Sequence, residues 1–400
     1  MSSFPKVILG FLMVDWPLFM RRKMLYALAE AAEKYGSTVV AVNRPLCQIS
    51  TIVRKPQRAR ELLGDARLQK LASNLYLYSP RYFIHDSIAQ ELGILESLNL
   101  AALRSSYRKL CKRIGIVEEK PLIWFYHPVQ GYVTRLFPGS FNVYEIYDNL
   151  ADIHGNTLQA VEKRIDKFRD RIDLLLTTSR KLHDKYSPGF KHAWEFGNGI
   201  DRETYERMIR HDHPPHPAID NIASPRIGYT GLISQRLDWQ LIHDVADRRP
   251  DWNLVFVGKV FDKSILNSTA NINNIHFTGA FDHSEMPSVL RSFDVGFMPY
   301  RDNDFFRYSN PLKIYEYAAT GLKTVSSNME ELSSYPSEIV KIVPNRPDDW
   351  IEAIQAYLES DDHIARSIGA EFAGKFIWED MTARLLDRMQ QLFQPSGKDS

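Results

Sequence analysis

The sequence predicts an α/β protein made of two domains, each built on a parallel sheet. Short apolar runs of strand length alternate with helical patterns, which is typical of such folds. The alternation is broken by a proline cluster at residues 211–225. A length of 400 residues is also more than one hydrophobic core usually serves. We therefore predict two α/β domains joined by a linker.

The first half of the chain predicts an amino-terminal domain over residues 1–210. Helical patterns, such as those at residues 24–34 and 157–171, separate most of its apolar runs. We expect strands at residues 7–14, 38–42, 75–78, 122–126, 142–146 and 174–178.

A linker at residues 211–225 and a second domain over residues 226–375 follow. An amphipathic segment containing Trp378 predicts a last helix at residues 376–393, and residues 394–400 are expected to be a disordered tail. The strands expected in the second domain cover residues 226–230, 254–257, 275–277, 295–298, 324–326 and 340–342.

Composition favours a reducing, cytoplasmic location. Nothing approaches the roughly 18 to 20 consecutive apolar residues of a membrane helix. The start Met1-Ser2-Ser3 has no basic signal-peptide region, so residues 7–14 are interpreted as the first buried strand. Cys47 and Cys111 are too few for a disulfide framework or a structural zinc site.

The net charge of +1 hides an asymmetry between the two halves. Residues 1–200 hold 29 Lys and Arg against 19 Asp and Glu, whereas residues 201–400 hold 21 against 30. Such a split suggests that the first domain faces something anionic. No nucleic-acid motif occurs, so we expect no nucleic-acid partner.

The positive charge is concentrated in two tracts. One lies between residues 54 and 70; the other, at residues 103–114, interleaves basic and apolar side chains at helical spacing. The second could lie on an anionic membrane surface, or it could be a solvated basic face of a helix. The basic residues are Arg54, Lys55, Arg58, Arg60, Arg67 and Lys70 in the first tract, and Arg104, Arg108, Lys109, Lys112 and Arg113 in the second.

The most informative segment is residues 293–321, FDVGFMPYRDNDFFRYSNPLKIYEYAATG. It predicts a strand, a polar loop, and a helix with Asn310 as N-cap and Pro311 at its first position. Lys313 and Glu316, three residues apart, should share one helix face. A lysine at a helix start favours phosphate, and a carboxylate one turn later can accept two ribose hydroxyls.

This segment resembles the nucleotide-binding signature of GT-B glycosyltransferases of the family 4 type, including teichuronic-acid and exopolysaccharide relatives. Their pattern FDV-x-x-x-PY, then N-P-x-K-x-x-E-Y-x-A-x-G-x-x-V, is matched from Phe293 to Val325. The resemblance implies that Glu316 holds the donor ribose. Many members carry a second glutamate eight residues upstream, where this chain has Tyr308. The contacts to the donor sugar and the stereochemical outcome therefore stay open.

Other stretches extend the resemblance over most of the chain. They are RIGYTG at 226–231, LVFVG at 254–258, GNGID at 197–201 and the last helical segment. The implied fold is two Rossmann-like domains facing each other across a cleft, with the C-terminal helix crossing back to the first domain.

The resemblance places the donor site in the second domain. Lys313 is the first candidate for the contact to the diphosphate, and Arg236 is the second. We expect Gly231 to let a ligand approach the backbone. The nucleotide-sugar site is expected to include Gly231, Arg236, Tyr300, Tyr308, Ser309, Asn310, Pro311, Lys313 and Glu316.

No metal or dinucleotide site is expected. Asp302-Asn303-Asp304 matches a D-x-D motif, but it lies in the loop before Asn310 and is interpreted as solvated loop. No G-x-G-x-x-G sequence occurs, so a dinucleotide fingerprint is not supported.

The first domain is expected to bind the acceptor and supply a base. His127 and Asp148 each follow a predicted strand, and either could take the proton of the acceptor hydroxyl. Each could equally be structural, as a buried histidine or a helix-capping aspartate. Asp15, Trp16 and Arg22 resemble a W-x(5)-R element and are expected to line the acceptor cleft.

The expected function is transfer of a sugar from a nucleotide-diphosphate donor, UDP- or GDP-linked, with no cofactor and no essential metal. The acceptor is expected to be a saccharide or lipid-linked saccharide in cell-surface polysaccharide synthesis, at the cytoplasmic face of the membrane. Two alternatives remain open. One is a non-catalytic subunit of a polysaccharide-synthesis complex, which Tyr308 keeps possible; the other is a nucleotide-sugar epimerase.

Overall fold

Short buried apolar runs form two large sheets in the computed structural model, which describes residues 4–43, 46–47, 67–82, 93–149 and 158–394. The sheets belong to two units. The first takes in the described residues of Met1–Phe196 and Trp378–Ser400, and the second is Gly197–Ile377. Residues 211–225, for which the sequence predicts the linker, lie within the second unit, where Pro217–Asp220 is helical.

The first unit is built on an eight-stranded sheet. Its strands are β1 Val7–Phe11, β2 Thr38–Val42, β4 Arg67–Ala72, β5 Leu75–Ser79, β7 Leu122–Phe125, β8 Asn142–Ile146, β9 Leu174–Thr177 and β10 Ala193–Glu195. The short strands β3 Leu46–Cys47 and β6 Arg81–Tyr82 pair separately. The sheet order is β10-β9-β8-β7-β1-β2-β5-β4, and only the edge strand β4 is antiparallel to its neighbour.

The second unit contains a six-stranded, fully parallel sheet. Its strands are β11 Arg226–Thr230, β12 Asn253–Val257, β13 Ile275–Gly279, β14 Val295–Met298, β15 Thr324–Ser326 and β16 Val340–Ile342. Their order, β13-β12-β11-β14-β15-β16, is the 3-2-1-4-5-6 order of Rossmann folds. In both units the strand order reverses beside the first strand, at β1/β7 and at β11/β14.

Helices lie between most consecutive strands along the chain, because parallel neighbours need crossover connections. They are α1 Arg22–Glu33, α2 Gly93–Ile114, α3 Leu158–Asp166, α4 Arg180–Tyr186, α5 Arg202–Ile209, α6 Pro217–Asp220, α7 Trp239–Arg248, α8 Ser264–Thr269, α9 Met286–Arg291, α10 Asp304–Arg307, α11 Lys313–Ala319, α12 Pro347–Glu359, α13 Asp362–Gly374 and α14 Trp378–Gln391. Within the described ranges, none of the helices has both the length and the hydropathy needed to cross a bilayer.

The last helix, α14, returns to the first unit, as the sequence predicts. Lys34 Nζ at the end of α1 lies 2.5 Å from the Asp387 carboxylate of α14. Beyond the helix, the Phe393 ring packs 5.1 Å from the Phe4 ring and 4.7 Å from the Phe141 ring. Apolar contacts and one ion pair therefore hold the end of the chain against its beginning.

The predicted basic tract at residues 103–114 lies on α2. Leu103, Tyr107 and Leu110 are buried, whereas Arg108, Lys109, Lys112 and Arg113 are exposed. Arg104 is different, because its guanidinium donates hydrogen bonds to the carbonyl oxygens of Leu136 at 2.5 Å and Arg135 at 2.9 Å. In the other basic tract, Arg67 and Lys70 are exposed on β4, and the residues from Arg54 to Arg60 lie outside the described ranges.

Candidate functional site

The candidate donor site lies where the strand order of the second unit reverses. Open parallel sheets bind ligands at this point, beyond the carboxyl ends of the strands. Gly231 directly follows β11, and Pro299 and Tyr300 directly follow β14. The residues singled out from the sequence therefore meet at one edge of the sheet.

Two glycines let the loops at this edge approach each other closely. Gly231 has φ +131° and Gly258 has φ +148°, values that strongly favour glycine. A Cβ atom on Gly258 would lie 1.8 Å from the Gly231 carbonyl oxygen, so the two backbones are in direct contact. A Cβ on Gly231 would lie 3.0 Å from Lys313 Nζ, which places this glycine next to a cation.

The Lys313 amine sits at the end of β11. Lys313 is the first residue of α11, and its Nζ donates a hydrogen bond to the Thr230 carbonyl oxygen at 2.6 Å. The same atom lies 3.7 Å from the centre of the Tyr229 ring and 5.3 Å from that of Tyr300. A cation–π contact of this kind holds a positive charge in place without neutralising it. The half-buried amine is thus a fixed positive charge at the sheet edge.

The predicted N-cap at Asn310 is wrong. The residue preceding α11 is Leu312, and no side chain caps the helix there. Asn310 is buried; its Oδ1 accepts from the Tyr315 hydroxyl at 3.0 Å and its carbonyl accepts from Asn198 Nδ2 at 2.6 Å. Pro311 precedes the helix instead of opening it. Asn310 is therefore held by a contact to the distant residue Asn198, which helix-capping preferences do not predict.

The short helix α11 contributes little positive charge at its N-terminus. It has only seven residues, Lys313–Ala319, and its aligned peptide dipoles are correspondingly few. The positive charge available at this point is therefore that of the Lys313 amine itself.

Glu316 lies on the same helix and turns toward a different partner. Its Oε1 lies 2.8 Å from His283 Nε2, and the side chains are 21% and 53% exposed. His283 belongs to the 3₁₀ segment His283–Glu285 that follows β13. No local pattern links this histidine to Glu316, because 33 residues separate the two along the chain. The carboxylate is nevertheless open to solvent and able to accept further hydrogen bonds.

The loop that follows β14 is packed into the unit. The Tyr300 ring stacks on Phe306 at 4.5 Å between centres. The Tyr300 carbonyl accepts from Ser327 Oγ at 2.6 Å and from Asn345 Nδ2 at 2.7 Å. Ser309 is buried after α10, and Tyr308, at the carboxyl end of α10, is partly exposed. Tyr300 therefore shapes the floor of the site mainly through packing.

Asp302 and Asn303 of the D-x-D sequence in this loop serve local structure. Asp302 pairs with Arg307 at 3.0 Å, and Asn303 Oδ1 caps α10 by accepting from the Phe306 N–H at 3.1 Å. Across the described parts of the chain, no three His, Cys, Asp or Glu side chains group in a way that could hold a metal ion.

The turn carrying Arg236 is tied to the same loop. The Arg236 carbonyl accepts from the Arg301 N–H at 3.1 Å, and Leu237 bridges to Tyr300. Burial raises the pKa of the Tyr229 hydroxyl well above its usual range, and the Arg236 guanidinium opposes that rise. Arg236 is thus an exposed second cation whose field reaches the Tyr229 ring that supports Lys313.

Candidates in the first unit also lie at strand ends. Asp15 is exposed after β1, and the backbone N–H of Trp16 donates to Asn43 Oδ1 at 2.9 Å. His127 follows β7 and Asp148 follows β8, the neighbouring strand in the sheet. The topology thus brings His127 and Asp148 to the same edge of the sheet.

His127 has a structural role that restricts its chemistry. Its Nδ1 accepts a hydrogen bond from the Val129 N–H at 3.2 Å, so the neutral ring carries its proton on Nε2. Gln130 completes this capping arrangement: its Oε1 accepts from the His127 N–H at 3.1 Å, and its Nε2 donates to the Phe11 carbonyl at 3.0 Å. Gln130, which the sequence did not single out, thus joins the ends of β1 and β7.

Asp148 is half-buried and influences its neighbour. Burial raises the pKa of Tyr147 to about 12, and the negative charge of Asp148 adds to that shift. Asp148 thus places a carboxylate at the end of β8, beside Tyr147.

Arg22, predicted to line the acceptor cleft, is followed in α1 by buried residues, and its neighbour Arg21 forms a buried contact that the sequence did not single out. Arg22 is exposed, whereas Arg21 is buried with its Nε 2.8 Å from Glu145 Oε1. Its guanidinium also lies 4.8 Å from the Trp378 ring and 5.4 Å from the Phe196 ring. Glu145 Oε2 accepts from Trp124 Nε1 at 2.7 Å. This buried pair holds α14 to the sheet.

Comparison with known proteins agrees with this geometry. Residues 224–360 match the family model described as glycosyl transferases group 1, which covers β11 through α12 and so the whole candidate donor site. TuaH of Bacillus subtilis (strain 168), a glycosyltransferase named for teichuronic acid biosynthesis, is 24% identical over 285 residues, or 67% of this chain and 71% of TuaH.

Solved structures resemble the entire chain. Anabaena HepE in complex with UDP and glucose aligns with a TM-score of 0.62 and 12% identity, covering 96% of this chain and 99% of HepE. A UDP-forming trehalose-phosphate synthase from Burkholderia xenovorans aligns with a TM-score of 0.65 and 12% identity, covering 98% and 100%. At such identities the likeness shows the fold, two Rossmann-like domains of the GT-B type.

Proposed function

This chain is a nucleotide-sugar-dependent glycosyltransferase of the GT-B fold, and we propose which reaction it catalyses. We propose that it moves a sugar from a UDP-linked donor to a saccharide or lipid-linked saccharide, in the synthesis of a cell-surface polysaccharide. It does so without a cofactor or an essential metal ion. The observation that carries the proposal is that Lys313 and Glu316 present a fixed cation and an open carboxylate from one helix at the strand-order reversal.

The choice of UDP is supported by the structural relatives. HepE was crystallised with UDP, and the Burkholderia enzyme is described as UDP-forming. A ribose carries two neighbouring hydroxyls, and a carboxylate such as that of Glu316 can accept a hydrogen bond from each.

Lys313 is assigned to the leaving diphosphate. Breaking the bond between the sugar and the diphosphate places negative charge on the departing phosphate oxygen, and a positioned cation stabilises this charge in the transition state. Arg236 adds a second positive charge nearby. The side chains of Lys313 and Arg236 would replace the metal ion that other sugar transferases use. Asp302 and Asn303 of the D-x-D sequence are engaged in local structure.

The first unit is assigned to the acceptor. Asp148 is our choice for the base that removes the proton from the attacking hydroxyl, because the Nδ1 of His127 is engaged in capping. Asp15, Trp16 and Arg22 lie between the end of β1 and the first turn of α1 and are assigned to acceptor binding. A polysaccharide acceptor is supported by the named pathway of TuaH.

The basic face of α2 supports peripheral binding to the cytoplasmic face of a membrane. Lys109, Lys112 and Arg113 are exposed on it, while the opposite face of the helix is buried. Each basic residue near an anionic surface contributes about 1 kcal/mol of attraction. A lipid-linked acceptor would be found at such a surface.

The test is a donor assay with the purified full chain. UDP-glucose, GDP-mannose and UDP-N-acetylglucosamine are incubated with and without EDTA, and free nucleotide and new sugar products are separated by chromatography and identified by mass spectrometry. Release of UDP that survives EDTA and increases with added saccharide or lipid-linked acceptor supports the proposal. Release that EDTA abolishes removes the metal-independent part. Conversion of UDP-N-acetylglucosamine to its C2 epimer would favour the epimerase, and inertness toward every donor would favour the non-catalytic subunit.

A further inference from the structure

The contact between His283 and Glu316 joins two parts of the second unit that the sequence keeps apart. His283 lies just after β13, at the edge of the sheet, and Glu316 lies in α11 after β14. The 2.8 Å separation of Nε2 and Oε1 is that of a hydrogen bond to a charged acceptor, which is stronger than a neutral one. The histidine therefore holds the carboxylate that the proposed function assigns to the donor ribose.

The turn that carries His283 is fixed independently of this contact. Glu285 uses both carboxylate oxygens: Oε2 accepts from the Asp282 N–H at 2.9 Å, and Oε1 lies 3.3 Å from His216 Nε2. The His216 ring packs against Phe281 at 4.1 Å. Since the residues on both sides of His283 are held, its exposed ring is not needed to form the turn.

A held glutamate differs from a free one in what a ligand must do to bind it. A glutamate side chain that is free to rotate loses conformational entropy when a ligand fixes it, and this loss weakens binding. A hydrogen bond from His283 removes that freedom before the ligand arrives. The carboxylate has about four acceptor positions, so one donated hydrogen leaves room for two ribose hydroxyls.

We infer that His283 is a positioning residue of the donor site, which holds the Glu316 carboxylate for the 2′- and 3′-hydroxyls of the ribose. The inference rests on the proposed role of Glu316. A carboxylate held for two hydroxyls discriminates against a nucleotide that lacks one of them, so a 2′-deoxynucleotide binds less well than the matching ribonucleotide.

The experiment is isothermal calorimetry of the full chain with UDP and with 2′-deoxy-UDP. The variants are His283→Ala, His283→Gln, Glu316→Ala and the double variant His283→Ala/Glu316→Ala. His363→Ala serves as the matched control, because His363 is an exposed histidine of α13 in the same unit. Melting temperatures confirm that each variant is folded.

His283→Ala should bind UDP about tenfold more weakly, the size of one hydrogen bond to a charged group. His283→Gln should retain most of the affinity, because its amide can still donate. The preference for UDP over 2′-deoxy-UDP should fall in His283→Ala, and the double variant should bind no worse than Glu316→Ala alone. His363→Ala should match the unchanged protein.

The calorimetry distinguishes failure of the positioning role of His283 from failure of the proposed donor site. If Glu316→Ala binds UDP weakly while His283→Ala keeps both its affinity and its preference for ribose, the positioning role is wrong and the donor site stands. Independent, additive losses in the double variant would also overturn it. If the unchanged protein binds neither UDP nor 2′-deoxy-UDP, the proposed use of a UDP-linked donor fails, and the inference fails with it.

Discussion

Lys313 Nζ lies 3.7 Å from the centre of the Tyr229 ring while donating a hydrogen bond to the carbonyl of the next residue, Thr230. One side chain of α11 is thereby fixed against the end of β11, across the point where the strand order of the sheet reverses. The two contacts fix the position of the ammonium group. A charge that need not reorganise during the reaction is the most effective kind in catalysis.

Replacing Lys313 by alanine should lower turnover about 100-fold, the cost of losing one transition-state donor. Lys313→Met retains much of the side-chain volume and should lose as much activity, since the charge is what matters. Steady-state kinetics with UDP-glucose and an acceptor provide the measurement. If only KM rises while kcat is preserved, the lysine binds the donor without assisting departure of the diphosphate.

Glu316→Ala should weaken UDP binding, because both ribose hydroxyls lose their acceptor. We expect a loss of about 2 kcal/mol or more in binding free energy, or about 30-fold in Kd. Calorimetry measures it directly. Glu330→Ala, at a glutamate beyond β15, is the control and should leave affinity unchanged. An unaltered Kd in Glu316→Ala would remove the ribose assignment.

Gly258→Ala should disturb the donor site more than Gly279→Ala. Both glycines end neighbouring strands with positive φ, at +148° and +83°. A Cβ at 258 would meet the Gly231 carbonyl oxygen at 1.8 Å, whereas one at 279 would meet no atom within 4 Å. Thermal melts in the presence and absence of UDP should show a lower Tm and a smaller UDP-induced shift for Gly258→Ala. Equal behaviour of the two variants would contradict the close approach of the loops.

Glu145→Ala should destabilise the first unit by about 3 to 5 kcal/mol, because it leaves the buried Arg21 charge without its carboxylate. The side chains of Arg21 and Glu145 are only 2% and 0% exposed. Glu195→Ala, at an exposed glutamate of β10, should change the free energy of unfolding by no more than about 0.5 kcal/mol. Urea unfolding distinguishes them. Similar stabilities for both variants would show that the buried pair contributes little.

Reversing the charge at Lys109, Lys112 and Arg113 should release the protein from vesicles containing phosphatidylserine. With about 1 kcal/mol for each basic residue, the loss should exceed 100-fold in the partition coefficient. The same reversal at Lys163, Arg164 and Lys167, which are exposed on and just after α3, is the matched control. Vesicle sedimentation over a range of salt concentrations reports the change. Equal binding of both variants would place the membrane contact elsewhere.

Part of the candidate site was predictable because it depends on short-range patterns. Buried parallel strands are continuous apolar runs, so β11, β12, β14 and the loops that follow them could be located from residue types alone. The family signature from Phe293 to Val325 placed Lys313 and Glu316 on one short helix, and the structure places them there.

The sequence by itself determined the alternation of strands and helices, the edge at which Gly231, Tyr300 and Lys313 meet, and the return of the last helix. Tertiary structure alone decided the partners. The Asn310 carbonyl accepts from Asn198, Arg21 is buried against Glu145, and His283 contacts Glu316. Strand and helix patterns arise from neighbouring residues, whereas a hydrogen-bond partner depends on how distant segments pack, which local spacing does not encode.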